Sequence, residues 1–406
     1  MKKILIVSKA LDIGGIESAL INMANELQKH YQVDLLLYNP AGDLMKRLQE
    51  NIGIIAPCWQ LKALGMPLKE VLHSRNVKMI LYRILVTAWT KMVSNRIPVA
   101  MAAHCQNKLT GYDIAIAYHQ EMGRHTVASG FSRIVDRCVE AKQKLAWLHY
   151  DSAAIDLDSA FNNPFYQKMD RIVCVSQSLK DRFAARFPKL SHKTDWCYNF
   201  LEYDTLYDRS MEKQNIFYPP ENRICFCACR LAKEKALVRA IHCLAPVFRE
   251  HGEWLWYIAG EGPERGNIEE AIMEEQLGSQ VILLGNQTNP YPYIKNADLL
   301  MNLSYHEASP MVFREAIALG TPVLATKTSS AVEMLPIGAF VCGNTEGEIA
   351  ESFRDLAEHP DKLEAAKYAL RDVRGSNKAS LLKFEQWLTE SDGFYSDIPE
   401  MGGNSG

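Results

Sequence analysis

Two glutamates, Glu307 and Glu315, stand eight positions apart in "YHEASPMVFREAIALGTPVLAT", on either side of Ser309 and Pro310. Ser309 reads as a helix N-cap and Pro310 as the first helical position; Met311 to Leu319 continue the helix, and Gly320 with Pro322 stops it. Glu307 then falls in the loop ahead of the helix and Glu315 inside it. The positive end of such a helix can receive an anion, and a carboxylate can accept two hydrogen bonds from a vicinal diol such as a ribose. On spacing alone, two glutamates on a helix surface are solvated charges. A second pattern changes that balance: in "CACRLAKEKALVRAI", Arg230 leaves an apolar strand and Lys235 follows five residues later. Cations at the carboxyl end of a strand can clamp a diphosphate and stabilise it as it leaves. The two patterns together point to a nucleotide site, with phosphate on the cations and amides and hydroxyls on the acids.

Such side chains need strands to carry them. The first third alternates "KILIVS", a turn at Gly14 and Gly15, the helical "IESALINMANELQKH" and the strand "QVDLLLY". This is a βαβ unit of a parallel, doubly wound sheet. Strands at "DIAIAYH", "QKLAWLHY" and "DRIVCVS" extend it, giving one Rossmann-like domain over 1–199. "NFLEYDTLYDRSMEKQNIFYPPENR" has the polar, Pro-bearing composition of a linker. The pattern then restarts with "RICFCAC", "WLWYIAG", "QVILLG", "DLLMNLS", "PVLAT" and "GAFVC", a second doubly wound domain over 206–375. Residues 376–406 are a closing amphipathic helix and a loose tail. Two such sheets place their carboxyl strand ends across a cleft from each other, which suits a two-substrate reaction.

Composition removes other classes. The chain has 406 residues, 23% charged, with a net charge of −3, so it lacks the basic excess of a nucleic-acid binder. Its ten cysteines form no CxxC pair; Cys225, Cys227 and Cys229 alternate along one strand face and read as buried thiols. The start "MKKILIVSKALDIGG" lacks the parts of a signal peptide and fits a buried strand, and no apolar stretch is long enough to span a bilayer. One segment, 60–110, breaks the alternation with helices bearing Lys62, Lys69, Arg75, Lys78, Arg83, Lys91 and Arg96 among Leu, Ile, Val, Tyr82 and Trp89. It reads either as a helix set lying on an anionic membrane surface or as a solvated basic pair over the domain.

The motifs "GGIESALINMANEL", "AWLHYD", "CVSQSLKDRF", "CRLAKEK", "YIAGEGPE", "VILLGNQTNPYPYIKNADLLMNLS" and the stretch holding both glutamates occur in an order that spans nearly the whole chain. That ordered set resembles glycosyltransferase family 4, retaining nucleotide-sugar enzymes of GT-B fold. The resemblance implies that Glu315 holds the nucleotide ribose and Glu307 approaches the donor sugar. It implies a diphosphate clamp at Arg230 and Lys235, and His149 facing the reacting sugar. Gly14 and Gly15 would lie opposite the phosphates, Gly285 and Asn286 beside the base, and Ser309, Pro310, Met311 and Val312 near sugar and phosphate through their backbone. The chain departs from the family at Cys229, Ala236 and Ala308, where glycine is usual, at Arg314, where an apolar residue is usual, and in the loop after the last motif strand, where family members often carry an acidic residue and this chain has "TKTSSAVE".

The function so implied is transfer of a hexose or N-acetylhexosamine to a hydroxyl of a glycan or lipid-linked acceptor, in cell-surface polysaccharide biosynthesis; a glycolipid transferase and a non-catalytic nucleotide-sugar binder are the alternatives. A UDP-sugar is the first expectation for donor and GDP-mannose the second. Asp156 and Asp158 form a DxD, but in this context no cofactor or metal is expected. The missing secretion signal places the chain in the cytoplasm, with the inner membrane surface as a possible docking place. An NAD-dependent oxidoreductase would need a GxGxxG that "KALDIGGIES" does not supply.

Overall fold

A computed structural model describes residues 1–150, 159–213, 218–335 and 337–390. Asp156, Asp158 and the expected loose end at 391–406 lie outside the described residues.

Seven strands build the first sheet: β1 (Lys3–Ser8), β2 (Gln32–Leu37), β3 (Gly53–Ile55), β4 (Leu109–Ala117), β5 (Val139–Leu148), β6 (Arg171–Cys174) and β7 (Thr194–Trp196). They run parallel in the order β3-β2-β1-β4-β5-β6-β7. The second sheet holds β8 (Arg223–Ala228), β9 (Trp254–Ala259), β10 (Val281–Gly285), β11 (Leu299–Asn302), β12 (Val323–Thr326) and β13 (Ala339–Cys342). It is also parallel, in the order β10-β9-β8-β11-β12-β13. Central strands such as "WLWYIA" are buried at every position, because helices cover both faces of a parallel sheet.

Both sheets reverse their winding beside the first strand, between β1 and β4 and between β8 and β11. The loops leaving those strands diverge to opposite faces and open a crevice at the carboxyl ends. Residues 9–15 and 118–121 occupy the first crevice; 229–235 and 303–310 occupy the second.

The rest of the chain ties the halves together. The expected linker contains the helix Tyr203–Ser210, whose Leu206 is buried in the second core; its polar composition conceals that inward apolar side chain. The closing helix Lys378–Glu390 crosses back to the first core, where Trp387 and Phe384 pack on Trp147. Asp195 receives both the Trp387 indole N–H, at 3.0 Å, and the Lys383 ammonium, at 2.7 Å.

The segment 60–110 is helical over Trp59–Gly65, Leu68–His73, Val77–Met92 and Arg96–Cys105. Arg83 departs from the surface role its charge suggested. It is buried and donates to the carbonyls of Ala63 and Leu64, at 2.7 and 2.8 Å, closing the end of the first of these helices. The helix with Glu315 also starts one residue later than expected, at Met311, and ends at Ala318. Pro310 is its N-cap, because the Ser309 hydroxyl is turned toward the Met334 sulfur at 3.8 Å and gives no cap. Gly320, at φ +78°, supplies the left-handed stop.

Candidate active site

The second crevice is spanned by an ion pair. Lys235 leaves the turn after β8, Glu307 leaves the loop after β11, and their Nζ and Oε1 meet at 2.7 Å. The same Oε1 accepts from the Ser304 hydroxyl at 2.7 Å and the Asn302 amide at 3.2 Å. Burial alone would lower the Lys235 pKa, but the charge of Glu307 outweighs it and the ammonium is held above its ordinary range. A fixed, charged lysine at a switch point is suited to receive a phosphate oxygen.

Two glycines make the surrounding loop. A Cβ at Gly260 would lie 1.8 Å from the carbonyl oxygen of Cys229, and one at Gly262 would lie 2.2 Å from that of Leu231. The "GEGP" loop therefore lies flat on the strand exit that carries Arg230. Ala236, which closes the lysine turn, sits at φ +54°, a left-handed conformation that favours the glycine usual there.

Arg230 is exposed and pairs with Glu234 at 2.6 Å. Its field also reaches the Glu17 carboxyl, in the first turn of the helix Gly15–Gln28. Burial raises the Glu17 pKa, while Lys9 and Arg230 oppose that rise. At Gly15 a Cβ would meet nothing, and at Gly14 only the flexible end of Glu17, so packing within the chain requires neither glycine. Tyr150 lies in the fields of Arg230, Glu17, Glu234 and Lys235. The glycine turn, the end of β5 and both cations thus share one cleft.

His149, just past β5, is buried with Nε2 2.9 Å from the Tyr118 carbonyl. A carbonyl only accepts, so Nε2 carries the proton. Burial, with His119 beside it, pushes the His149 pKa down to about 3, and the imidazole is neutral at physiological pH. His119 itself was missed by sequence reasoning. Its Nε2 is buried without a hydrogen-bond partner, its pKa is pushed down to about 4 by burial, and its ring centroid is 6.4 Å from that of His149. The signal was present in "AYHQE", a histidine leaving a strand beside the switch point.

Glu315 has a different set of neighbours. It is buried on the inward face of its helix and accepts from the Tyr291 hydroxyl at 3.4 Å. Burial pushes its carboxyl up to about 7, against the pull of Tyr291, Arg47, Arg209 and Arg314. Arg209 stacks over Tyr291 at 4.7 Å and donates to the Thr288 carbonyl, in the loop after β10. Gly285, the last residue of β10, takes φ +67°, and Asn286, which opens that loop, is exposed. Met311 and Val312 begin the helix at partly exposed positions, with their amides ahead of any intrahelical acceptor. Arg314 explains its own departure from the apolar pattern: it donates to the Asn199 and Ser376 carbonyls, where the chain passes between the halves. Glu333, the acid in "TKTSSAVE", reaches across as well. It accepts from the Tyr198 hydroxyl at 2.6 Å and from the amides of Gln177 and Ser178 at 2.9 and 2.8 Å.

No group of three or more His, Cys, Asp or Glu side chains among the described residues could hold a metal ion. Residues 208–373 match the family described as Glycosyl transferases group 1. The chain is also similar to N-acetyl-alpha-D-glucosaminyl L-malate synthase of Bacillus anthracis, 23% identical over 56% of this chain and 62% of that protein. A lipopolysaccharide core biosynthesis glycosyltransferase of Rhizobium meliloti is 25% identical over 53% of this chain and 62% of its own length. The matched stretches thus span less than two thirds of either relative. The crystal structure of HepE from Anabaena, in complex with UDP and glucose, superposes with a TM-score of 0.68 at 17% identity, over 96% of this chain and 100% of that one. The fold is GT-B.

Proposed function

We propose that the chain is a retaining glycosyltransferase that moves a hexose or N-acetylhexosamine from a nucleotide-diphospho-sugar to an acceptor hydroxyl. The observation that carries this reading is the Lys235–Glu307 pair at 2.7 Å, set at the β8/β11 switch point inside the segment that matches the group 1 family. Lys235 and Arg230 take the diphosphate, with the amides of Met311 and Val312 beside it. Glu307, oriented by Ser304 and Asn302, takes sugar hydroxyls. Glu315 takes the ribose diol, with Gly285 and Asn286 near the base. Gly14 and Gly15 leave room for the phosphates on the opposite wall.

When the bond between the anomeric carbon and the diphosphate breaks, the negative charge that develops on the diphosphate is stabilised by Lys235 and Arg230. The acceptor hydroxyl attacks the oxocarbenium-like carbon from the face just vacated, and its proton passes to the departing diphosphate. His149, neutral and fixed through Nε2, borders the sugar without adding a charge that would oppose the cationic transition state. Positioning and electrostatics supply the catalysis, and no metal is needed. A UDP-sugar is the preferred donor, supported by the UDP in the Anabaena structure; GDP-mannose is second. A glycan or lipid-linked acceptor in surface-polysaccharide assembly is supported by the Rhizobium relative. The test is proton NMR of the product in EDTA, with UDP-glucose, UDP-N-acetylglucosamine or GDP-mannose and a panel of lipid-linked saccharides. An α-linked product from an α-linked donor supports the reading; an inverted product, or strict dependence on a divalent metal, overturns it.

A further inference from the structure

The helix Val77–Met92 is apolar on two opposite faces. Met79, Val86 and the buried Arg83 and Thr90 point into the protein. The other face carries Val77, Leu81, Ile84, Leu85 and Met92, which are 67%, 57%, 49%, 70% and 75% exposed. At 3.6 residues per turn these five lie within an arc of about 100°. Lys78 falls just past one edge of that arc and Lys91 just past the other, and both are exposed. The helices on either side continue the pattern. Leu68 and Leu72, a turn apart on Leu68–His73, are exposed, as are Ile97 and Met101 on Arg96–Cys105.

A water-facing apolar stripe of this width has no role in the fold of the protein itself, whose inward face is already packed. The surrounding charge indicates what covers it. Between positions 60 and 110 there are eight Lys and Arg against one acid, Glu70, in a chain that carries net −3 overall. Only Arg83 of the eight is buried. A second copy docking through this face would bring like charges together, whereas an anionic surface complements them. The helix is 16 residues long, and no described helix is long and apolar enough to cross a membrane. Its geometry is that of a helix lying in the plane of a bilayer, with the apolar stripe in the acyl boundary and a lysine at headgroup level on each side, Lys91 on one and Lys78, whose Nζ lies 4.8 Å from the Trp59 ring, on the other.

We infer that the exposed face of Val77–Met92, with its two flanking helices, docks on an anionic lipid bilayer. This inference rests on exposure and charge at this face and not on the donor-site reading. The test is co-sedimentation of the full chain with vesicles of phosphatidylcholine alone and of phosphatidylcholine with phosphatidylglycerol, over a salt series. Binding to the anionic vesicles, weakening with salt, is expected. The triple variant Leu81→Ser, Leu85→Ser, Met92→Ser should lower the partition coefficient by on the order of a hundredfold. Lys78→Gln with Lys91→Gln should lower it roughly fivefold per charge on anionic vesicles and leave the weak neutral-vesicle binding unchanged. Leu81, Leu85, Met92 and Lys91 face water and Lys78 makes only an exposed cation–π contact with Trp59, so nucleotide binding should stay as in the native chain and the melting temperature should shift little. Three results would overturn the inference: no binding to anionic vesicles, binding indifferent to both sets of substitutions, or a dimer in solution that the triple variant dissolves.

Discussion

Glu315 makes the nucleotide site a proton-linked site. Its carboxyl titrates near 7 in the folded chain, against an ordinary 4.5. A ribose diol donates hydrogen bonds, so it favours the ionised carboxylate. With a pKa of about 7, the ionised fraction rises from about a tenth at pH 6 to about nine tenths at pH 8, and affinity for a nucleotide-sugar should rise roughly tenfold over that range. Calorimetry in buffers of different ionisation enthalpy counts the protons released; close to one is expected at pH 6 and close to none at pH 8. A nucleotide-sugar is the right probe because its phosphates are diesters that do not titrate in this range. Glu315→Gln keeps one acceptor and should bind more weakly, with no dependence on pH and no proton release.

The same residue sets a stability cost of opposite sign. The folded chain holds the Glu315 proton more tightly than the unfolded chain does, so this contribution is fully present below about pH 4.5 and is lost as pH rises through about 7. The difference between 4.5 and 7 corresponds to about 3 kcal/mol, and without ligand Glu315→Gln should be the more stable protein at pH 8 by up to that amount. Flat affinity between pH 6 and 8, no proton release, and a Gln variant that binds like the native chain would together refute the ribose role.

Ala236→Gly should stabilise the protein by about 1 kcal/mol, read from the denaturation midpoint, because it relieves a left-handed conformation at φ +54°; a loss of stability would mean the turn is set by the Ala236 side chain. Glu333→Ala should cost about 1–2 kcal/mol, because it removes the acceptor shared by the Tyr198 hydroxyl and the amides of Gln177 and Ser178. Burial alone would raise the Glu333 pKa, but the Tyr198 hydroxyl and those amides hold it below the ordinary range. Its contribution should therefore be present above about pH 4.5 and fade as pH falls below that, which comparison of native and variant melting at pH 3.5 and 7 would check.

The two sheets were legible because their central strands are long apolar runs closed by Gly, Asn or charged residues. β3 and β7 were not, since three residues at a sheet edge show no period. The polar composition of "YDTLYDRS" concealed a helix held by Leu206, and Arg83 counted as surface charge until its carbonyl partners were seen. Motif order singled out Glu307 and Lys235 separately. Their contact, 72 residues apart in sequence, follows only from the strand order that sets β8 beside β11. Glu333 and Arg314 could not be read as ties between the halves, because their partners lie on segments distant in sequence.

The most direct test of the central claim is calorimetric titration of the native protein and of Lys235→Met with UDP-glucose, UDP-N-acetylglucosamine and GDP-mannose in EDTA. Methionine keeps much of the side-chain volume and removes the charge. One donor class should bind the native protein without metal, and the variant should lose on the order of a hundredfold in affinity, as expected when a partly buried cation is taken from a diphosphate. Equal binding by the two proteins, or binding by neither, would contradict a donor site at the β8/β11 switch point.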